Sequence, residues 1–205
     1  MAVQNTSVDS LLKRADEFFM GTGPIQQTMA SLAHLLAKAD IDYAVAGGMA
    51  LMLHGYRRET VDVDVLLTAD GRNQLEEKFV GLGYAPLFPG ASKRFRDTAT
   101  RVEIDLIITG DYPGDGKPKP VSFPDPAQAS IEIEGIRILK LEKLIELKLA
   151  SGMTAPDRLR DLADVQELIK VKKLDSEFVE SLNPYVREKY LELWNAVRQA
   201  THSEE

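Results

Sequence analysis

The chain has 205 residues, 44% of them hydrophobic, with no cysteine and a formal net charge of -7. That length and apolar content suit one folded domain with an appendage, while the missing cysteine excludes a disulfide framework, a thiolate metal site and a cysteine nucleophile. The negative balance opposes a surface built to wrap nucleic acid nonspecifically, and no stretch nears the roughly 18 apolar residues of a membrane span, so the sequence predicts a cytoplasmic protein with no membrane contact.

Apolar residues recur at helical spacing from Ser10 to Met20 and again from Pro24 to Ala39, which predicts two opening helices. The run IDYAVAGG then switches to strand-forming residues and ends in Gly47 and Gly48, after which MALMLHGY is short and helix-compatible. A glycine pair at such a junction lets backbone N–H groups approach phosphate oxygens; a tight turn that needs positive φ gives the same residues.

The segment ETVDVDVLLT alternates carboxylate and valine, so at period two Asp62 and Asp64 share one strand face, about 7 Å apart at the backbone. GRNQLEEKFVGLGY follows as an amphipathic helix. SKRFRD and TRVEIDLIIT read as two further strands, the second placing Asp105 and Glu103 on one face. A neighbouring strand lies about 4.8 Å away, so Asp62, Asp64 and Asp105 can meet on one surface. Crowded carboxylates repel one another unless a cation compensates, which suits Mg²⁺, with Mn²⁺ as the alternative. The wet face of an ordinary half-exposed strand shows the same alternation. Lys93, Arg94, Arg96 and Arg101 form a basic group that is either a solvated face or an acceptor contact.

GDYPGDGKPKP is a loop and the segment expected to move most. IEIEGIRIL predicts a hairpin turning near Glu134 and Gly135, and helices follow in LEKLIELKLASG, in PDRLRDLADVQELIK with Pro156 in its first turn, and from Ser181 to Ala200. The predicted fold is therefore α+β, a short mixed sheet flanked by helices with a C-terminal helical bundle, divided as an α/β core over 1–140 and a helical part over 141–205. Lys148 shares the apolar stripe of Leu141, Leu144 and Ile145, so its ammonium needs an anion. A phosphate would serve, and so would an ion pair with Asp161 on the next helix, where Asp164 shares the face. His34, His54 and His202 are dispersed, with no ligand spacing.

Taken together, AGGMALMLHGYRRETVDVDVLL followed by VEIDLI resembles the signature of the DNA polymerase β-type nucleotidyltransferase superfamily. With LEKLIELKLASG and DRLRDLADVQELI the resemblance extends, over about residues 40 to 170, to the AbiEii-like toxin nucleotidyltransferases and their uncharacterised relatives. It implies that Gly47 and Gly48 hold the triphosphate, that Asp62, Asp64 and Asp105 bind the metal, and that Asp105 helps deprotonate the attacking hydroxyl. Arg58 and Thr60 fall where the family often has Arg and Thr, and Thr60 would orient the metal-binding strand. Gly48 stands where the superfamily often has serine, and Arg160 where related toxins carry lysine. The implied activity is transfer of a nucleoside monophosphate from Mg-NTP to an acceptor left open among tRNA, protein and small molecules. The chain would act alone or as a toxin with an antitoxin partner. A catalytically silent nucleotide- or partner-binding protein of the same fold is the alternative.

Overall fold

The computed structural model describes residues 21–202. The helix expected over Ser10–Met20 lies outside the described residues. Helix α1 (Pro24–Lys38) leads through strand β1 (Tyr43–Val45) to the short helix α2 (Gly47–Leu53), then strand β2 (Asp62–Leu67) and helix α3 (Ala69–Phe79). Strands β3 (Tyr84–Pro86), β4 (Arg94–Asp97) and β5 (Glu103–Ile108) come next, followed by helix α4 (Pro126–Ala129) and strands β6 (Ser130–Ile133) and β7 (Ile136–Leu139). Helices α5 (Leu141–Thr154), α6 (Leu159–Lys172) and α7 (Pro184–His202) complete the described chain.

The α+β expectation holds. Among the described residues the strands form one seven-stranded sheet in the order β3-β4-β5-β2-β1-β7-β6. It is mixed: β2 runs parallel to β5 and β1 parallel to β7, while the other neighbours are antiparallel. The sheet is wider than the sequence suggested, because β3 is only three residues long and carries no alternating pattern. Pro156 opens a separate 3₁₀ turn, Pro156–Arg158, and α6 starts after it at Leu159, so this proline ends the connection rather than entering the helix.

Alternation along β2 and β5 sorts their side chains onto two faces. Val63, Val65 and Leu67 of β2, with Ile104 and Leu106 of β5, pack beneath Met29, Leu32 and Leu36 of α1. Each such aliphatic side chain, fully buried, contributes roughly 1.5–3 kcal/mol. On the opposite face Leu66 joins a second core made with Leu144, Ile145 and Leu149 of α5, Val165 and Leu168 of α6, and Val186 and Tyr190 of α7. The C-terminal helices thus cover that face only at its apolar end, and the N-terminal ends of β2 and β5, where the acidic residues sit, open into a cleft. None of the described helices is long and apolar enough to cross a membrane.

Candidate active site

Asp64 of β2 lies directly beside Asp105 of β5 in parallel register, and Asp62 beside Glu103. Register partners on neighbouring strands point to the same side, so all four carboxylates share the open face of the sheet. The valines of β2 are fully buried on the other side and hold this direction, because a one-residue slip would turn the acids into the core.

The glycine pair is fitted to these strands. Gly47 has φ +54, and a Cβ built on it would coincide with Asp64 Oδ2; only glycine allows the backbone to lie this close to the carboxylate. A Cβ on Gly48 would stand 2.6 Å from Thr60 Cβ and Oγ1. Thr60 itself is buried and donates its hydroxyl to Asp62 Oδ1 at 2.8 Å. Backbone turn, threonine and both β2 aspartates therefore form one packed unit.

Helices α5 and α6 make the facing wall. Lys148 is 7% exposed, and its Nζ donates to Asp161 Oδ1 at 2.8 Å and to Asp164 Oδ2 at 2.7 Å. Ser151 Oγ donates to the other Asp161 oxygen at 2.7 Å, which holds that carboxylate from two sides. Arg58 brings Nε to 3.0 Å from Asp164 Oδ1, an ion pair without hydrogen-bond alignment. Of the two partners weighed for Lys148, the structure shows the carboxylates, and it gives Asp164 to Arg58 as well.

The cleft between the walls measures about 680 Å³, and its lining includes the glycine pair, Arg58, Thr60, the three aspartates and Lys148. Also in the lining, and not singled out from the sequence, are Arg158 of the 3₁₀ turn, Ser151 of α5 and Phe123 at the end of the 110–123 loop. These three carry no local motif; only the packing of distant elements brings them together. Of the basic group, Lys93 and Arg94 line the cleft, with Lys93 paired to Asp111 and Arg94 to Glu103 and Asp105. Arg96 pairs with Glu103, and Arg101 instead borders a second cavity of about 340 Å³ that shares the wall Glu59–Thr60–Val61. The 110–123 loop is anchored: Lys119 Nζ bonds Pro113 O at 2.5 Å and Thr154 Oγ1 at 3.2 Å. His54 is buried with Nε2 2.7 Å from Leu139 O, and His34 is exposed, so neither joins the site.

Burial pushes the Asp64 carboxyl up to about 7, helped by repulsion from Asp62 and then Asp105, while Lys148 and Arg158 pull the other way. A set of oxygen donors that resist sharing one face without a counter-charge is chemically suited to a hard divalent cation, and all three aspartates line the cleft. Among the described residues no three acidic or histidine side chains already stand close enough to form a complete cation cage. Asp62 is turned to Thr60, and Asp105 Oδ1 to Arg94 Nε at 3.2 Å.

No family model and no curated protein matches the chain. It is similar in outline to ANT(2'')-Ia solved in complex with adenylyl-2''-tobramycin, at 16% identity over 85% of this chain and 99% of that one, with a TM-score of 0.49. An antigenic nucleotidyltransferase-like protein from Paracoccidioides brasiliensis is 19% identical over 72% of this chain and 76% of that one, with a TM-score of 0.47. JHP933 from Helicobacter pylori is 18% identical over 87% and 94%, with a TM-score of 0.46. At these identities and TM-scores the likeness assigns neither activity nor substrate to this chain.

Proposed function

We propose that this chain is a nucleotidyltransferase that moves a nucleoside monophosphate from a magnesium-bound nucleoside triphosphate to an acceptor hydroxyl. The observation that carries the reading is the register of Asp64 beside Asp105, with Gly47 fitted against Asp64 at the mouth of a cleft. Asp62, Asp64 and Asp105 would hold Mg²⁺ or Mn²⁺, and Gly47 and Gly48 would hold the triphosphate through their backbone. Bound there, the cation would neutralise charge on the attacking and leaving oxygens.

The rest falls to the protein. In the proposed reaction the acceptor oxygen bonds to the α-phosphorus, the bond to the pyrophosphate breaks, and the hydroxyl proton passes to Asp105. Thr60 keeps Asp62 oriented, and Lys148 and Arg58 fix the opposite wall. The chain's own contribution is then positioning and fixed charge rather than a covalent intermediate.

The test is to incubate purified protein with each α-labelled nucleoside triphosphate, Mg²⁺ or Mn²⁺, and separate fractions of cellular RNA, protein and metabolites. Label entering one fraction with wild-type protein and not with Asp64→Asn supports the reading. Metal-dependent triphosphate binding with no label transferred to any fraction would leave a catalytically silent binder instead. The AbiEii-like resemblance adds a cellular expectation, that expression arrests growth and an antitoxin encoded beside it relieves the arrest.

A further inference from the structure

Strand β4 runs antiparallel to β5 and sets Arg94 opposite Asp105 and Arg96 opposite Glu103. Both arginines thereby lie over the carboxylate face, with different reach. Arg94 spans two acids, Nη2 at 2.8 Å from Glu103 Oε2 and Nε at 3.2 Å from Asp105 Oδ1. Arg96 reaches Glu103 alone, at 3.6 Å. Among the described residues Arg94 is the only cation in ion-pair contact with Asp62, Asp64 or Asp105. Asp105 is thus flanked by Asp64 on one side and a guanidinium on the other.

We propose that Arg94 is a built-in counter-cation, which holds Asp105 in the metal-free protein and is exchanged for a divalent cation when one binds. This rests on the reading that Asp62, Asp64 and Asp105 take such a cation. A guanidinium and a divalent ion repel one another and compete for the charge of the same carboxylate, so each weakens the binding of the other. Exchange is easy: the Arg94 side chain is 50% exposed and that of Asp105 37%, and solvent-exposed pairs of this kind are weak. Glu103 would supply the resting place, because the Nη2 contact to it at 2.8 Å does not depend on Asp105.

The experiment measures Mn²⁺ binding to metal-stripped protein without nucleotide, by the electron paramagnetic resonance signal of free Mn²⁺. Arg94→Gln is expected to tighten binding about three- to fivefold, the scale set by an exposed pair. Arg96→Gln removes the same charge two residues along the strand and is expected to change it less than about half as much on a logarithmic scale. Equal tightening in both variants would mean that general charge acts, not exchange at Asp105, and would overturn the proposal. So would an unchanged affinity in Arg94→Gln while Asp62→Asn with Asp64→Asn abolishes binding, a result that leaves the cation site itself intact. Wild-type protein that binds no Mn²⁺, or binding that survives the double aspartate change, would remove both the site and the exchange. Thermal unfolding of each variant confirms that it is folded, which the exposure of both arginines favours.

Discussion

Gly48 and Thr60 share one side-chain space: a Cβ on the glycine would stand 2.6 Å from both Cβ and Oγ1 of the threonine. Gly48→Ala must therefore displace Thr60 and with it the hydroxyl that bonds Asp62 at 2.8 Å. Overpacking of this kind costs about 1–3 kcal/mol. Trimming the threonine to alanine removes the Oγ1 contact but leaves its Cβ in place, so the penalty should shrink in part in a Thr60→Ala background and further with Thr60→Gly. Urea unfolding of the single and double variants checks this; a Gly48→Ala protein of wild-type stability would show that the threonine yields without cost.

The raised Asp64 carboxyl has a signed consequence. Its ordinary value is 3.8 and its folded value about 7, so the folded state binds the proton more tightly than the unfolded state. The stabilisation from that proton is full below pH 4 and is lost as pH rises from about 4 to about 7. Asp64→Asn mimics the protonated form. In the presence of a chelator it should be more stable than wild type at pH 7 and indistinguishable at pH 4, measured by urea unfolding across that range. If a divalent cation binds, it replaces the proton, so calorimetric titration with Mn²⁺ below pH 7 should release protons into the buffer. Wild-type and Asp64→Asn stabilities that run parallel with pH would contradict the shift.

How much of this could be read beforehand depended on whether the signal was local. Asp62 and Asp64 were legible because period-two alternation with valine fixes a face within five residues, and the hairpin at Glu134 and Gly135 for the same reason. The face of Asp105 followed from Ile104 and Leu106 beside it. Its partner Arg94 did not, since that contact depends on the register of β4 against β5. Arg158 was missed because nothing near Pro156 distinguishes a 3₁₀ turn at a cleft from the first turn of a helix. Lys148 was legible as a buried cation in need of an anion, and only the packing of α5 on α6 selected two carboxylates.

Lys119 decides whether the 110–123 loop moves. Its side chain is 5% exposed and bonds Pro113 O, Thr154 Oγ1 and Asp115 Oδ1. Lys119→Met keeps the apolar stem and removes these bonds, leaving Pro113 O and Thr154 to find water. We expect faster amide hydrogen exchange from Gly114 to Lys117 and a loss of about 1–3 kcal/mol in stability. Exchange rates unchanged from wild type would mean that the loop is held without Lys119, by its backbone bonds to Phe123, the Asn183 bond to Pro120 O and the buried Val121.

Lys148 tests whether the helical wall braces the site or reads its ligand. Its ammonium sits between Asp161 and Asp164, whose side chains are 17% and 2% exposed, so Lys148→Met leaves two acids that solvent reaches little. Arg58 still faces one Asp164 oxygen, but Asp161 keeps only Ser151. Removing one partner of a buried pair costs about 3–5 kcal/mol, and that loss is the expected result. Adding Asp161→Asn to Lys148→Met deletes the stranded charge and should restore part of the stability if the role is bracing. Triphosphate affinity of the double variant then separates the roles. An affinity close to wild type in the restored protein makes Lys148 a brace that shapes the cleft. An affinity that stays low while stability returns makes its charge a contact to the phosphates, reached by leaving Asp161 when the ligand arrives.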